Sequence, residues 1–120
     1  MTSSIRPVIV TPDLDRLRAF YTGLLGADEV MRFPQDGPPF YVGLRAGDVE
    51  LGLATNSEVS LDVPGRVLLD LTVADVDALL PRVEELGGRV GGPPNDMPWG
   101  QRVAHVTDPD GNPLNLTQIL

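Results

Sequence analysis

The sequence predicts an α+β fold made of two copies of a β-α-β-β-β module, and three observations carry that reading. Two helix openings match, Thr11-Pro12-Asp13-Leu14-Asp15 and Val73-Ala74-Asp75-Val76-Asp77. Each helical stretch then closes on a glycine, Gly26 in the first half and Gly87 in the second. Each half ends in a hairpin of apolar alternations, the second turning through Asp108-Pro109-Asp110-Gly111-Asn112. Repeats of this period imply two similar units that bury their sheet faces together. The expected architecture is two curved mixed sheets around a cleft, a natural ligand site. We expect one domain over residues 1–120, with module one at 4–55, a linker at 56–64 and module two at 65–120.

Taken in order, Ile5 to Thr11 is β-rich and reads as a strand. Asp13 is the N-cap of a helix whose apolar positions, Leu14, Leu17, Phe20, Tyr21, Leu24 and Leu25, recur at 3–4 spacing. Gly26 falls where a terminating glycine belongs. Glu29 to Phe33 is a short strand, and Pro34 to Pro39 a loop. Phe40 to Ala46 and Val49 to Thr55 form a hairpin around Gly47-Asp48. Asn56 to Pro64 is polar and reads as the linker. Arg66 to Val73 restarts the pattern, and the second helix turns Leu79, Leu80, Val83 and Leu86 inward before Gly87-Gly88. Pro81 predicts a kink there, or a separate first turn, because it lacks the N–H that the helix needs. Val90 begins a short strand, and Gly91 to Gly100 is a Gly/Pro loop holding Met97 and Trp99. Gln101 to Thr107 and Pro113 to Ile119 close the chain. Between them Pro109 presets φ, Asp and Asn cap the backbone, and Gly111 supplies a positive φ.

Composition narrows the function. The net charge of −8 argues against nucleic acid, whose phosphates want Lys and Arg. No apolar run approaches the length of a membrane span, and the N-terminus lacks the pattern of a signal peptide, so a cytoplasmic protein is expected. With no cysteine, thiolate chemistry and Cys-based zinc sites are excluded. Neither a G-x-S-x-G elbow nor a phosphate-binding glycine loop is present.

The duplicated module, the run from Asp13-Leu14-Asp15 through Phe20-Tyr21 to Leu25-Gly26, and the ending from Trp99-Gly100 to Asp108-Pro109-Asp110-Gly111-Asn112 resemble the vicinal oxygen chelate superfamily. Glyoxalase I, extradiol dioxygenases, fosfomycin-resistance enzymes and bleomycin-resistance proteins belong to it. The resemblance covers nearly the whole chain. It implies paired modules assembled as a homodimer. In metal-dependent members His or Glu occupies four repeat-related positions, which fall here on Arg6, Glu50, Leu68 and Asn115. Only Glu50 is a typical divalent-metal ligand, so neither a metal nor any other cofactor is expected.

The fold hosts both enzymes and binders, so the site residues must decide. Phe33, Phe40 and Trp99 lie in or beside loops and short strands, Met31 adds adaptable apolar surface, and Trp99 offers a flat wall for stacking. Asp70 shares a strand face with Leu68 and Thr72, opposite Leu69, Leu71 and Val73. That face lines the expected groove if the odd-numbered face packs on the helices, and the alternative is a polar pair with Arg6 or another basic side chain. His105 is the only histidine. These residues predict a metal-independent protein resembling bleomycin-resistance proteins, which sequesters an aromatic or cationic small molecule. Trp99, Phe40, Phe33 and Met31 supply its walls, and Glu50, Asp70 and His105 its polar anchors. The alternative is an enzyme: a lyase or dioxygenase with a divalent ion held by Glu50, His105 and Asp70, or a metal-free isomerase with Glu50 or Asp70 as base. A third class is a regulatory module without a ligand.

Overall fold

Each half of the chain lays one helix across one mixed sheet. The structure, a computed structural model, describes residues 5–63 and 67–120. It divides into two compact units, Met1–Ser60 and Leu61–Leu120.

The first unit runs β1 (Val8–Thr11), α1 (Leu14–Leu25), β2 (Asp28–Phe33), β3 (Tyr41–Ala46) and β4 (Val49–Thr55). Its strand order is β1-β4-β3-β2, with β1 parallel to β4 and the other pairs antiparallel. The Asp13 carboxylate accepts from the Arg16 amide at 3.1 Å and starts α1. Gly26, at φ +63°, ends it by donating to the Thr22 carbonyl at 2.9 Å. The 3–4 spacing puts Leu14, Leu17, Phe20, Tyr21 and Leu24 on the face that packs over β3 and β4, where Val42, Leu44 and Leu53 are also buried. Phe20 and Tyr21 meet edge to face at 5.0 Å. Full burial of each such side chain contributes about 1.5–3 kcal/mol, so this face holds the helix to the sheet.

The second unit runs β5 (Leu69–Thr72), α2 (Val76–Glu85), β6 (Arg89–Val90), β7 (Asn95–Met97), β8 (Gln101–Thr107) and β9 (Pro113–Ile119). Its order is β5-β9-β8-β6, with β5 parallel to β9 and β7 pairing β8 beyond β6. Asp75 caps α2 by accepting from the Ala78 amide at 3.1 Å, and the Gln118 carboxamide oxygen accepts from the Val76 amide at 2.9 Å. Arg102 ties three elements together. It donates to Asp96 on β7 and to Asp77 in the first turn of α2, each at 2.7 Å. These bonds raise the guanidinium pKa, and the bond to Arg102 holds the Asp96 carboxyl below its ordinary value.

The strand pattern, caps and hairpins agree with the sequence reading, and four details differ. β1 starts at Val8 rather than Ile5: Pro7 has no N–H to extend a ladder, and Ile5 stands exposed. Pro81 lies inside a single continuous α2 rather than dividing it. The proline is exposed, as is Asp77, whose carbonyl it leaves without an intrahelical donor and open to water. The Gly91–Gly100 stretch is not all loop, because Asn95–Met97 pairs with Gln101–Val103. The expected strand at Arg66–Val73 is β5, Leu69–Thr72; Arg66, and the end of the linker at Pro64, lie outside the described residues.

Candidate functional site

Each sheet has one face under its helix and one face without. The register sorts the predicted site residues onto the uncovered faces.

On the first sheet, β1 pairs Val8 with Gly52, β4 pairs Gly52 with Gly43, and β3 pairs Gly43 with Met31. This glycine row is roofed by two polar groups. The Tyr41 hydroxyl occupies the space that a Cβ at Gly52 would need, and Glu50 Oε2 lies 2.8 Å from where a Cβ at Gly43 would stand. Either side chain would have to move if the facing glycine gained a methyl. The Glu50 carboxylate is mostly covered and pairs with Arg6 through Oε2 and Nε at 3.2 Å. That contact lacks hydrogen-bond alignment, so Oε2 holds its cation through charge rather than a directed bond. Beyond the glycines, Phe33 and Phe40 form an edge-to-face pair at 5.3 Å, with Phe33 55% and Phe40 51% exposed. Met31, on the same strand as Phe33, is 48% exposed. The first unit therefore brings together Met31, Phe33 and Phe40 as an apolar surface, and separately Glu50 with Arg6.

On the second sheet, one cross-strand row joins Asp70 on β5, Asn115 on β9 and His105 on β8. The burial alternation agrees with the sequence reading of β5, since Leu69 and Leu71 are more covered than Asp70 and Thr72. Asp70 Oδ1 accepts from the Thr117 hydroxyl at 2.5 Å. His105 Nδ1 meets Asn115 Oδ1 at 2.7 Å. An amide oxygen only accepts, so Nδ1 is the donor in this contact and Nε2 is left without a described partner. Trp99 stands apart from this row, in the turn between β7 and β8. It is 68% exposed, and its Nε1 donates to Gln101 Oε1 at 2.9 Å.

Asp108 shapes the connection into β9. It is 2% exposed, and its carboxylate accepts from the Asp110 amide at 2.9 Å and from the Asn112 amide and side chain at 2.9 and 2.8 Å. Gly111, at φ +86°, returns a bond to the Asp108 carbonyl. This turn delivers Asn115 to its place beside His105.

The profile of the glyoxalase/bleomycin resistance protein/dioxygenase superfamily matches residues 5–116. The chain belongs to this superfamily. An uncharacterised protein of Mycolicibacterium smegmatis (strain ATCC 700084 / mc(2)155) is 38% identical over 108 residues, which span 89% of this chain and 85% of the relative. A solved hypothetical protein from S. aureus is 29% identical, covers 98% of both chains and superposes with a TM-score of 0.76. The bleomycin resistance determinant encoded on the transposon Tn5 is 24% identical over 98% of both chains, with a TM-score of 0.70; at that identity the likeness speaks for the fold.

The superfamily implies a divalent metal in its metal-dependent members, and the residues here do not fit one. The first unit offers Arg6, a cation, and Glu50, whose carboxylate that same cation occupies. The second offers Leu68, which has no donor atom, and Asn115, whose carbonyl oxygen is taken by His105. Among the described residues no group of three or more His, Asp or Glu side chains is arranged to hold an ion. Nor is any helix among them long and apolar enough to cross a membrane.

Tyr41 and the Gly43–Gly52 row are parts of the uncovered face that the sequence reading did not assign. The alternation of Gly43 and Gly52 with apolar residues is a signal of close approach at a strand centre, and it was available in the sequence.

Proposed function

We propose that this superfamily member is a metal-independent binding protein that sequesters a small aromatic molecule, working as a homodimer. The observation that carries the reading is the Phe33–Phe40 pair with Met31 on an uncovered sheet face: three large apolar side chains, each about half exposed, at the surface of a folded module. Apolar side chains gathered in this way at a surface mark a binding site more often than a scattered Leu does. Within the first unit Glu50, held by Arg6, supplies a polar anchor. Within the second, Trp99 offers a ring face of its own, and Asp70 and His105 are polar groups oriented by Thr117 and Asn115. Positive charge on the ligand is a secondary preference, drawn from the chain's net charge of −8.

The donor chemistry at the four metal positions supports binding rather than metal-assisted turnover. Two measurements test the reading. Protein equilibrated with Ni²⁺, Zn²⁺, Mn²⁺ and Fe²⁺ and then desalted should retain far less than one ion per chain. Bleomycin and the planar cation ethidium should bind saturably, be recovered unchanged, and lose affinity in Phe40→Ala. Near one retained ion per chain, or conversion of a methylglyoxal adduct or a catechol, would give the enzyme reading the lead.

A further inference from the structure

We propose that a hollow on the second sheet binds a small organic carboxylate through Arg89. The hollow has a volume of about 340 Å³ and is bounded by Leu68, Arg89, His105, Thr107, Pro113 and Leu114. That places it at the small end of ligand pockets, which span about 300–1,000 Å³, and suits a short-chain acid rather than a drug-sized molecule.

The register explains why the hollow exists. Arg89 pairs with Thr107 across β6 and β8, and Thr107 pairs with Pro113 across β8 and β9. Side chains at Arg89, Thr107 and Pro113 therefore share the face that carries His105. Beside His105 the chain continues from β6 into Gly91, whose amide donates to the His105 carbonyl at 2.8 Å. A Cβ there would stand 3.0 Å from that same carbonyl, so the wall stays open where any other residue would crowd it.

Charge selects the occupant. The chain as a whole carries −8, yet the hollow's lining contains an arginine and a histidine and no carboxylate. Arg89 makes no ion pair with a described residue, in contrast to Arg6, Arg18 and Arg102. Two acids lie on neighbouring elements and each is engaged: Glu84 Oε1 accepts from the Val90 amide at 3.3 Å, and Asp70 turns its Oδ1 to the Thr117 hydroxyl, farther along β9 and away from Pro113. A guanidinium with its donors free at the rim of an apolar hollow matches a carboxylate on an apolar body, since the fork of N–H groups fits two oxygens at once. The Thr107 hydroxyl stands opposite Arg89 as a further donor. Asn115 holds the His105 ring in one orientation, with Nε2 left for a polar group of the ligand.

The site shares only His105 with the aromatic-capture reading and stands or falls separately. The test is a titration of the ¹⁵N-labelled full-length protein with hexanoate, hexanamide and hexylamine, followed by amide NMR. Hexanoate should shift the amides of Gly91, His105 and Thr107 saturably, and the neutral and cationic analogues should not. Arg89→Gln should weaken hexanoate by about tenfold, the scale of one lost charge-assisted contact. Arg89→Lys, which keeps the charge and loses the fork, should fall between wild type and Arg89→Gln, and Phe40→Ala should retain all of the affinity. Equal binding of hexylamine or hexanamide, undiminished hexanoate binding by Arg89→Gln, or no saturable shift with hexanoate would each overturn the proposal. Failure of ethidium to respond to Phe40→Ala would count against aromatic capture and leave these shifts unchanged.

Discussion

Replacing Trp99 by alanine separates a ligand platform from a packing residue. A tryptophan side chain presents up to about 250 Å². At 68% exposure, about 170 Å² of Trp99 faces solvent. A planar ligand stacked on one face of the ring covers about half of that, roughly 85 Å², which at about 25 cal/mol/Å² is worth about 2 kcal/mol. Trp99→Ala should therefore raise the dissociation constant of ethidium by about 30-fold. The covered remainder of the ring, about 80 Å², sets an upper bound of about 2 kcal/mol on the stability it contributes. With an unfolding entropy near 0.25 kcal/mol/K for 120 residues, Tm falls by no more than about 8 °C, and the variant stays folded at 25 °C. Calorimetric titration of wild type, Trp99→Ala and Trp99→Phe, beside thermal melts of each, provides the readout. Phenylalanine keeps a smaller ring face but loses the bond to Gln101, so it should fall between the other two. Ethidium binding by Trp99→Ala within about threefold of wild type would refute stacking on this ring and leave Trp99 as surface packing.

Asp108→Ala strands three donors around a side chain that is only 2% exposed. At about 1 kcal/mol for each bond to a carboxylate, the loss is about 3 kcal/mol, or about 12 °C in Tm. A drop under 1 kcal/mol in denaturant titration would show that water replaces the carboxylate there. Asp96 gives a pH signature. Its carboxyl is held below the usual range, first by the hydrogen bond from Arg102 and then by that residue's charge. A depressed folded pKa contributes stability that is complete above the unfolded value, about 3.9, and is lost as pH falls through the folded value. Arg102→Ala should flatten this acid limb of the stability curve, and an unchanged limb would place the acid sensitivity elsewhere.

The features legible in the sequence are those set by neighbours along the chain. Asp13 and Asp75 cap their helices, the 3–4 spacing of α1 fixes its buried face, and Gly47-Asp48 and Pro109 to Asn112 mark the two hairpins. All of these act within a few residues. β7 was not legible, since Asn95-Asp96-Met97 lacks alternation and becomes a strand only because β8 offers it an edge. Pro81 read as a helix breaker, yet its exposed position lets water satisfy the carbonyl it frees. At the candidate site the residue types were readable and the pairings were not. Glu50 meets Arg6, and Asp70 meets Thr117, across separations that no local pattern encodes. The hollow beside Arg89 arises from three strands set side by side and from Leu68 just before a fourth, so no single stretch announces it.

The parallel pairing of β1 with β4, and of β5 with β9, also sets an order of assembly. The β3–β4 and β8–β9 hairpins close across short turns, whereas Val8 reaches Gly52 and Leu69 reaches Leu114 only after nearly a whole module of chain has been drawn in. The entropy of that longer closure is larger by roughly 2 kcal/mol, so the first strand of each module docks onto a hairpin already formed. Arg6 precedes one of these late strands and Asp70 lies on the other. The salt bridge at Glu50 and the Asp70–Thr117 bond thus form after the hairpins and open first when an edge strand frays, whereas the His105–Asn115 bond comes with its hairpin.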